Sequence, residues 1–193
     1  MKKIFLLAAA PVLAVAFASP AAAQPAGFRF EAVVGYDEVS YDLDGAGTGT
    51  TEDIHGAYYG IGVGYDFPVG TSVAIGPEVE VTETTTDRDT TGTTGSSFSV
   101  RHDITVGGRL TAALGNSFNA YARLGYSNMK IRNEPNNEAL PINFDTLGGI
   151  RGALGVQFAD EDSRAYYGFE LRYADYGDDV TRRQAGLVLG VRF

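Results

Sequence analysis

Acidic side chains and arginines occur two residues apart at several places in this sequence. Arg29 is followed by Glu31, and Glu170 by Arg172, with an apolar residue between the two charges in each case. Successive side chains of a β-strand point to opposite faces, so residues two apart lie on the same face. The spacing therefore places acids and arginines on one face of a sheet without indicating which of them pair, and it does not bring together the His, Ser and acid of a hydrolase.

A run of glycines raises a second chemical possibility, the binding of a nucleotide phosphate. Residues 58–67 read YYGIGVGYDF, with Gly60, Gly62 and Gly64 at every second position. A dinucleotide-binding loop needs the spacing G-x-G-x-x-G before a helix, which this stretch does not have. The period of two instead predicts a strand, with the glycines on one face and the aromatic and aliphatic side chains on the other.

The same alternation of apolar and polar residues recurs in eight segments. They are residues 28–37, 58–67, 73–81, 100–110, 118–127, 149–158, 166–173 and 182–193. Short turns and longer polar connections alternate between them, which is typical of an outer-membrane barrel. The sequence therefore predicts an all-β protein, an eight-stranded antiparallel up-and-down transmembrane β-barrel, with a bulge or local irregularity at Pro77.

The polar face of these segments is predicted to point into the barrel. Glycines alternate with charges on that face, where small residues leave room in a narrow lumen, and aromatic residues gather near the ends of the apolar face. The predicted lumen charges are Glu31, Asp37, Asp66, Glu78, Glu80, Asp103 and Glu170, and Arg29, Arg101, Arg109, Arg123, Arg151, Arg172, Arg182 and Arg192. Buried charges must be paired, so the near balance of signs predicts a salt-bridged network.

The N-terminus has the pattern of an export signal. Two lysines precede an apolar run that ends in three alanines, which predicts a cleaved signal peptide at residues 1–23, Sec-type export and one barrel domain at residues 24–193. The chain has 24 Asp and Glu against 15 Lys and Arg, a formal net charge of −9, and is not expected to bind nucleic acid. It contains no cysteine, so its stability does not depend on disulfides.

Three stretches resemble a known family. AYARLGYSN at 120–128, FELRYADYG at 169–177 and the terminal GLVLGVRF are similar to the small eight-stranded outer-membrane barrels of Gram-negative bacteria, which include the OmpA transmembrane domain and OmpX. The resemblance implies a monomer in the Gram-negative outer membrane, in contact with its lipids and lipopolysaccharide. OmpA itself continues into a peptidoglycan-binding domain, whereas this sequence ends at Phe193, so no cell-wall tether is expected.

The resemblance also implies a route of assembly. Periplasmic chaperones and the barrel-assembly machinery would handle the chain, and the terminal strand would carry the signal that this machinery recognises. The outward residues of that strand are Phe193, Val191, Leu189 and Leu187.

These features predict a structural or surface-interaction role for a barrel with a charge-filled lumen and acidic loops. The alternative is a narrow gated porin-like channel for ions or small solutes. Its mid-strand gate candidates are Glu80, Arg109, Arg123, Glu170 and Arg172.

A third hypothesis is a lipid A-modifying enzyme. Neither His55 nor His102 has a serine two residues away on its own face, so the chain is predicted not to be an enzyme. No cofactor or metal is expected. Residues 42–53 loosely resemble a calcium loop, but Ala46 takes the place of an oxygen ligand and the bidentate Glu is missing.

Overall fold

The computed structural model of the protein describes residues 26–42, 51–88, 96–135, 143–159, 163–177 and 180–193. The alternating segments of the sequence form β-strands. Their bounds are β1 Gly27–Asp42, β2 Thr51–Val69, β3 Val73–Thr84, β4 Asp87–Arg88, β5 Ser96–Ala113, β6 Phe118–Pro135, β7 Asn143–Ala159, β8 Ala165–Asp175 and β9 Thr181–Arg192. Within the described residues, no helix has the length and hydropathy needed to cross a membrane.

The strands belong to one antiparallel sheet that closes on itself. In the described part of the chain, each of the eight long strands pairs with its neighbours in sequence, and β9 returns to pair with β1. The two-residue β4 lies beside β5, and β3 pairs with β5 directly. The predicted eight-stranded antiparallel up-and-down barrel is confirmed, and its closure leaves no free edge for other chains to pair with.

Outward positions on the strands are apolar, and inward positions are polar, charged or small. On β2, Tyr59 and Ile61 are 50% and 55% exposed, whereas Tyr58 is fully buried inside the barrel. Gly60 and Gly62 lie on the inward face with Tyr58. The glycine run is therefore one wall of the barrel, because a strand of period two places the glycines inside and the large apolar side chains outside.

Two local irregularities interrupt the ladders. Pairing of β2 with β3 lapses at Pro77, which has no N–H to donate, and resumes in the same register. An irregularity is thus present where it was expected, but it is not a bulge, because no residue is inserted. The register shifts instead in β5, between Val100 and Asp103.

The barrel has a short-turn end and a loop end. Turns such as residues 70–72 join strands at the first, and the strand ends that flank the longer connections lie at the second. The strands β2, β5 and β6 have 19, 18 and 18 residues, well above the roughly 9–11 that a tilted strand needs to cross a bilayer. On the loop-end side of Tyr59 and Tyr126, the outward residues are mainly polar. The sheet therefore continues toward the loop end past the apolar band, which is the belt of outward apolar side chains.

The interior of this extension has an apolar core of its own. Val39, Ile54, Met129, Ala174 and Tyr176 pack together there and are buried; we call them the loop-end cluster. Burial of side chains the size of Ile or Met stabilises a fold by about 1.5–3 kcal/mol each. The extended end of the barrel is therefore a packed element and not a set of separate hairpins.

Gly60→Ala is expected to destabilise the barrel, whereas Gly62→Ala is not. A Cβ atom at Gly60 would lie 2.6 Å from Thr82 Cγ2 and against the β3 backbone, but one at Gly62 would meet nothing nearer than 3.5 Å. Overpacking costs about 1–3 kcal/mol, and a compatible glycine replacement is neutral or stabilising by less than about 1 kcal/mol. Urea unfolding of the refolded variants in micelles measures both; equal midpoints would contradict the inward packing of β2 on β3.

Candidate functional site

The inside of the barrel collects charges of both signs in equal number. In the described part of the chain, the inward carboxylates are Glu31, Asp37, Asp66, Glu78, Glu80, Asp103 and Glu170, and the inward arginines are Arg29, Arg109, Arg123, Arg151, Arg172, Arg182 and Arg192. All are buried except Arg192, whose side chain is 16% exposed. The formal charges of these groups cancel. The described part of the lumen therefore carries no net formal charge although it is filled with ions.

At the short-turn end, Arg29 connects three carboxylates. Its Nε atom lies 3.1 Å from Asp66 Oδ1, its Nη2 2.8 Å from Glu78 Oε2, and its Nη1 3.1 Å from Glu31 Oε2. Arg192 Nη2 lies 3.2 Å from the other oxygen of Asp66. These contacts connect β1, β2, β3 and β9, which are four consecutive strands of the barrel wall.

Glu31 is the centre of the network. Its carboxylate receives Arg109 Nη1 at 2.5 Å, Arg29, Arg123 Nη2 and the hydroxyl of Tyr166 at 2.7 Å. Three guanidinium groups from β1, β5 and β6 thus meet one acid. Burying three cations this close together would be strongly unfavourable without that acid.

Glu80 organises the next layer toward the loop end. Arg172 binds it through both terminal nitrogens, at 2.8 and 2.9 Å, which is the planar two-point contact that arginine forms with a carboxylate. Arg151 Nη2 lies 2.6 Å and Arg123 Nη1 3.0 Å from its oxygens. Glu170 pairs with Arg172 Nε and, at 3.0 Å, with Arg123 Nε, so the two layers share Arg123.

A third group closes the lumen below the loop-end cluster. Arg182 holds Asp37 through Nε at 2.7 Å and Nη2 at 2.9 Å, and its Nη1 reaches Asp103 at 3.0 Å. Ser127 and Tyr176 also donate hydrogen bonds to Asp103. The Tyr176 contact, of 2.8 Å, joins this group to the apolar cluster above it.

Buried tyrosines complete the filling of the lumen. The guanidinium carbon of Arg109 lies 3.6 Å from the centre of the Tyr121 ring, which is cation–π geometry. A Cβ atom at Gly155 would collide with Tyr121, and one at Gly190 would collide with Tyr166. The period of two puts both tyrosines on the polar face of their strands, and the glycine facing each ring is what leaves room for it.

The structure places every predicted lumen charge whose side chain it describes beside an opposite charge. The side chain of Arg101 lies outside the described residues, as do the predicted signal peptide at residues 1–23 and most of the loosely calcium-like stretch at 42–53. The predicted gate candidates Glu80 and Glu170 both lie in the central layers.

One small cavity interrupts the network. It has a volume of about 10 Å³ and lies among Glu78, Thr105, Arg123, Arg151 and Glu170. Glu170 Oε2 lies 3.0 Å from Arg123 Nε and Arg151 Nη1 lies 3.6 Å from Asp103 Oδ2, but neither atom makes a well-aligned hydrogen bond within the described residues. A cavity of this size is at the lower limit for one water molecule, which two such groups would bind.

The two histidines lie outside the lumen. His55 is on the outward face, where its Nδ1 is 2.6 Å from the Tyr36 hydroxyl and 3.8 Å from Glu38 Oε2. These contacts provide no hydrolase nucleophile. Among the residues that the structure describes, no group of three or more His, Cys, Asp and Glu is arranged to hold a metal ion.

Comparison with known proteins identifies similar sequences and folds. The family model described as "Outer membrane protein beta-barrel domain" matches residues 7–193. One similar structure is Ail, the attachment invasion locus protein of Yersinia pestis, solved in complex with the heparin analogue sucrose octasulfate. It is 15% identical in sequence with a TM-score of 0.57, and the match covers 86% of this chain and 99% of Ail. Neisserial surface protein A is 14% identical with a TM-score of 0.61, covering 86% and 97%. No curated protein sequence matches the chain. Identities this low show the fold alone.

Glu31→Gln is expected to destabilise the folded barrel by about 3–5 kcal/mol, because it leaves three buried guanidinium groups without their shared carboxylate. Glu83→Gln is the matched control. Glu83 is exposed and accepts a hydrogen bond of 2.8 Å from Tyr59, so its replacement should cost less than about 1 kcal/mol. Urea unfolding in micelles compares the two, and a similar loss for both would mean that the lumen ion pairs do not hold the barrel.

Proposed function

The chain belongs to the outer membrane protein beta-barrel domain family, and from that premise we propose that it is a structural protein of the Gram-negative outer membrane with a plugged lumen. Its extended end presents loops for contacts at the cell surface. Sec-type export of a chain with a cleaved signal at residues 1–23 would bring the barrel domain, residues 24–193, to this location.

The observation that carries the proposal is the neutral network in the lumen. An eight-stranded barrel is only just wide enough to be filled by its own side chains. Here Glu31 and Glu80 each bind three arginines from different strands, so the charges cross the lumen from wall to wall. A solute would have to break several buried ion pairs at once, and breaking one costs about 3–5 kcal/mol.

The extension at the loop end supports the surface role. Strands continue past the apolar band, and the loop-end cluster packs their inner faces together. A rigid base of this kind fixes where the loops begin, and loops on a rigid scaffold carry much of the binding function of proteins. The heparin analogue bound by Ail is a polyanion, whereas this chain has a net charge of −9, which favours a ligand other than a polyanion.

The remaining partners follow from the membrane location. The apolar outward face would contact outer-membrane lipids and lipopolysaccharide, and the protein would act as a monomer without nucleic acid, metal or cofactor. Chaperones and the barrel-assembly machinery would bind during biogenesis, with Phe193, Val191, Leu189 and Leu187 as the assembly signal. In support, Phe193 is 66% exposed and its N–H bonds Phe28 O at 2.8 Å, at the seam where the last strand joins the first.

A narrow channel is the second candidate function. The cavity between Arg151 and Glu170 favours it, because it is a point where water could enter the network. Its volume of about 10 Å³ corresponds to a site for one water molecule and not to a continuous path through the lumen. A lipid A-modifying enzyme stands third, since the described contacts of His55 are with Tyr36 and Glu38.

Refolded protein in a planar bilayer is expected to show no discrete openings. Glu170→Gln should also stay silent, because glutamine fills the same volume, and Glu83→Gln is the matched exposed control. The change in gel mobility on boiling shows that each variant is folded. Openings in the wild-type protein that change with Glu170→Gln, but not with Glu83→Gln, would replace the plugged barrel with a gated channel.

Met129→Ala is expected to loosen the loop end while leaving the barrel in place. Met129 is fully buried in the loop-end cluster, and a methionine-to-alanine change in a core costs about 2–5 kcal/mol. Faster cleavage of the loop end by an added protease in vesicles should result. Ile61→Ala, on the outward face and 55% exposed, is the control. Equal cleavage of both variants would contradict the packed base for the loops.

A further inference from the structure

The strands of the barrel rise to different heights at the loop end. β8 ends at Asp175 and β9 begins at Thr181, whereas β7 begins at Asn143 and pairs with β8 only from Ile150 onward. Residues 143–149 pair with β6 on one side, and no strand of the described chain pairs with them on the other. Closure removes free edges only at heights that all the strands reach. Residues 143–149, which we call the β7 edge, therefore form an open edge beyond the apolar band.

Alternate residues of the β7 edge direct their backbone groups away from β6. In an antiparallel ladder, residues that exchange hydrogen bonds with one neighbouring strand alternate with residues that face the other neighbour. The Ala159 N–H donates to Ser117 O, and the register of β6 and β7 does not shift, so the odd-numbered residues of β7 bond to β6. The N–H and C=O groups of Thr146 and Gly148 therefore point to the side that β8 does not reach.

The loop-end cluster is incompletely covered beside this edge. Leu147, on the inward face of β7, and Val180, just before β9, pack against the cluster but are only partly buried. Both border the gap above β8 and β9. A strand added to the β7 edge, with an apolar side chain on its inward face, would cover part of both residues and extend the apolar core.

The gap has room for such a strand. At about 3.3 Å per residue, the seven residues 143–149 are about 23 Å long. In the order of the sheet, β8 and β9 lie between β7 and β1, so β7 and β1 are three strand spacings apart, which is about 14 Å. One strand at the usual spacing of about 4.8 Å fits beside β7 without reaching β1.

We propose that the β7 edge binds an extended peptide segment of another protein as an added strand, with apolar residues toward the loop-end cluster and polar residues outward. This inference deepens the proposed surface role and rests on it. When a strand is added to a sheet edge, backbone hydrogen bonds provide affinity and alternate side chains provide specificity. The edge contains no proline, so each of its residues keeps the N–H that such pairing needs.

A second copy of the chain fits this edge less well. Copies in one membrane have the same up–down orientation, and barrel strands tilt by about 35–45°. Around an axis along the membrane normal, two β7 edges would cross at about twice that tilt and could not pair along their length. An extended segment of another protein can align with the edge over its whole length.

Hydrogen exchange of the refolded protein in micelles, followed by NMR, tests whether the edge is open. The amides of Thr146 and Gly148 should exchange at least about tenfold faster than those of Leu147 and Gly149, which bond to β6. Protected amides at Thr146 and Gly148 in the protein alone would overturn the proposal, because another part of the chain would then occupy the edge.

A synthetic strand tests the binding. The probe is a peptide of about nine residues that alternates valine and threonine between terminal lysines. It should slow exchange at Thr146 and Gly148 at least about tenfold. The control peptide has two successive central residues replaced by proline, which removes donors on both of its edges, and should have no effect. Thr146→Pro, which removes only a donor of the open side, should abolish binding, whereas Thr146→Val should retain it.

No protection by the first peptide, equal protection by both peptides, or equal binding by Thr146→Pro and Thr146→Val would each overturn the proposal. If Thr146→Pro does not fold, the two peptides on the wild-type protein still decide. Boiling-dependent gel mobility and a silent planar bilayer identify the folded, plugged barrel in each variant. Absence of peptide binding with those two properties intact refutes the edge site alone, whereas their failure refutes the proposed function.

Discussion

An arginine inside an eight-stranded barrel has no access to bulk water, so it must meet a carboxylate there, and the rest of this structure follows from that requirement. Glu31 and Glu80 each contact several guanidinium groups, and the contacts run between strands that are far apart in the sequence. Such a network contributes less net stability than an apolar core would, because the desolvation of the ions offsets their attraction. The network does enforce a single register of the strands, because a one-residue slip of any strand would turn its charged side chains to the outward face.

The filling of the lumen explains other choices in the sequence. Tyr121 packs its ring against Arg109, and Gly155 leaves the space that this ring needs. Above the charges, the loop-end cluster replaces ions with apolar side chains where the sheet extends past the band. The barrel thus has a neutral ionic section within the band and an apolar section beyond it. In the proposed function, the first section blocks passage through the lumen and the second gives the loops a fixed base.

Strand number, order and facing were predictable from the sequence because a period of two is a local property. Which charges meet was not predictable, because the alternation gives the face on which a residue lies but not its partner. Arg123 and Glu31, for example, are 92 residues apart in the sequence. The irregularity at Pro77 was predicted from its missing N–H, whereas the register shift near Asp103 has no comparable residue to mark it.

The most direct test of the compensated lumen is a double-mutant cycle on Glu80 and Arg172, which share a two-point contact. Free energies of unfolding in urea would be measured for the wild-type protein, Glu80→Gln, Arg172→Gln and the double variant. If charge compensation holds the barrel, the double variant should lose no more stability than the worse single variant, with a coupling energy of at least about 2 kcal/mol. Additive losses, with a coupling energy within about 0.5 kcal/mol of zero, would contradict the account.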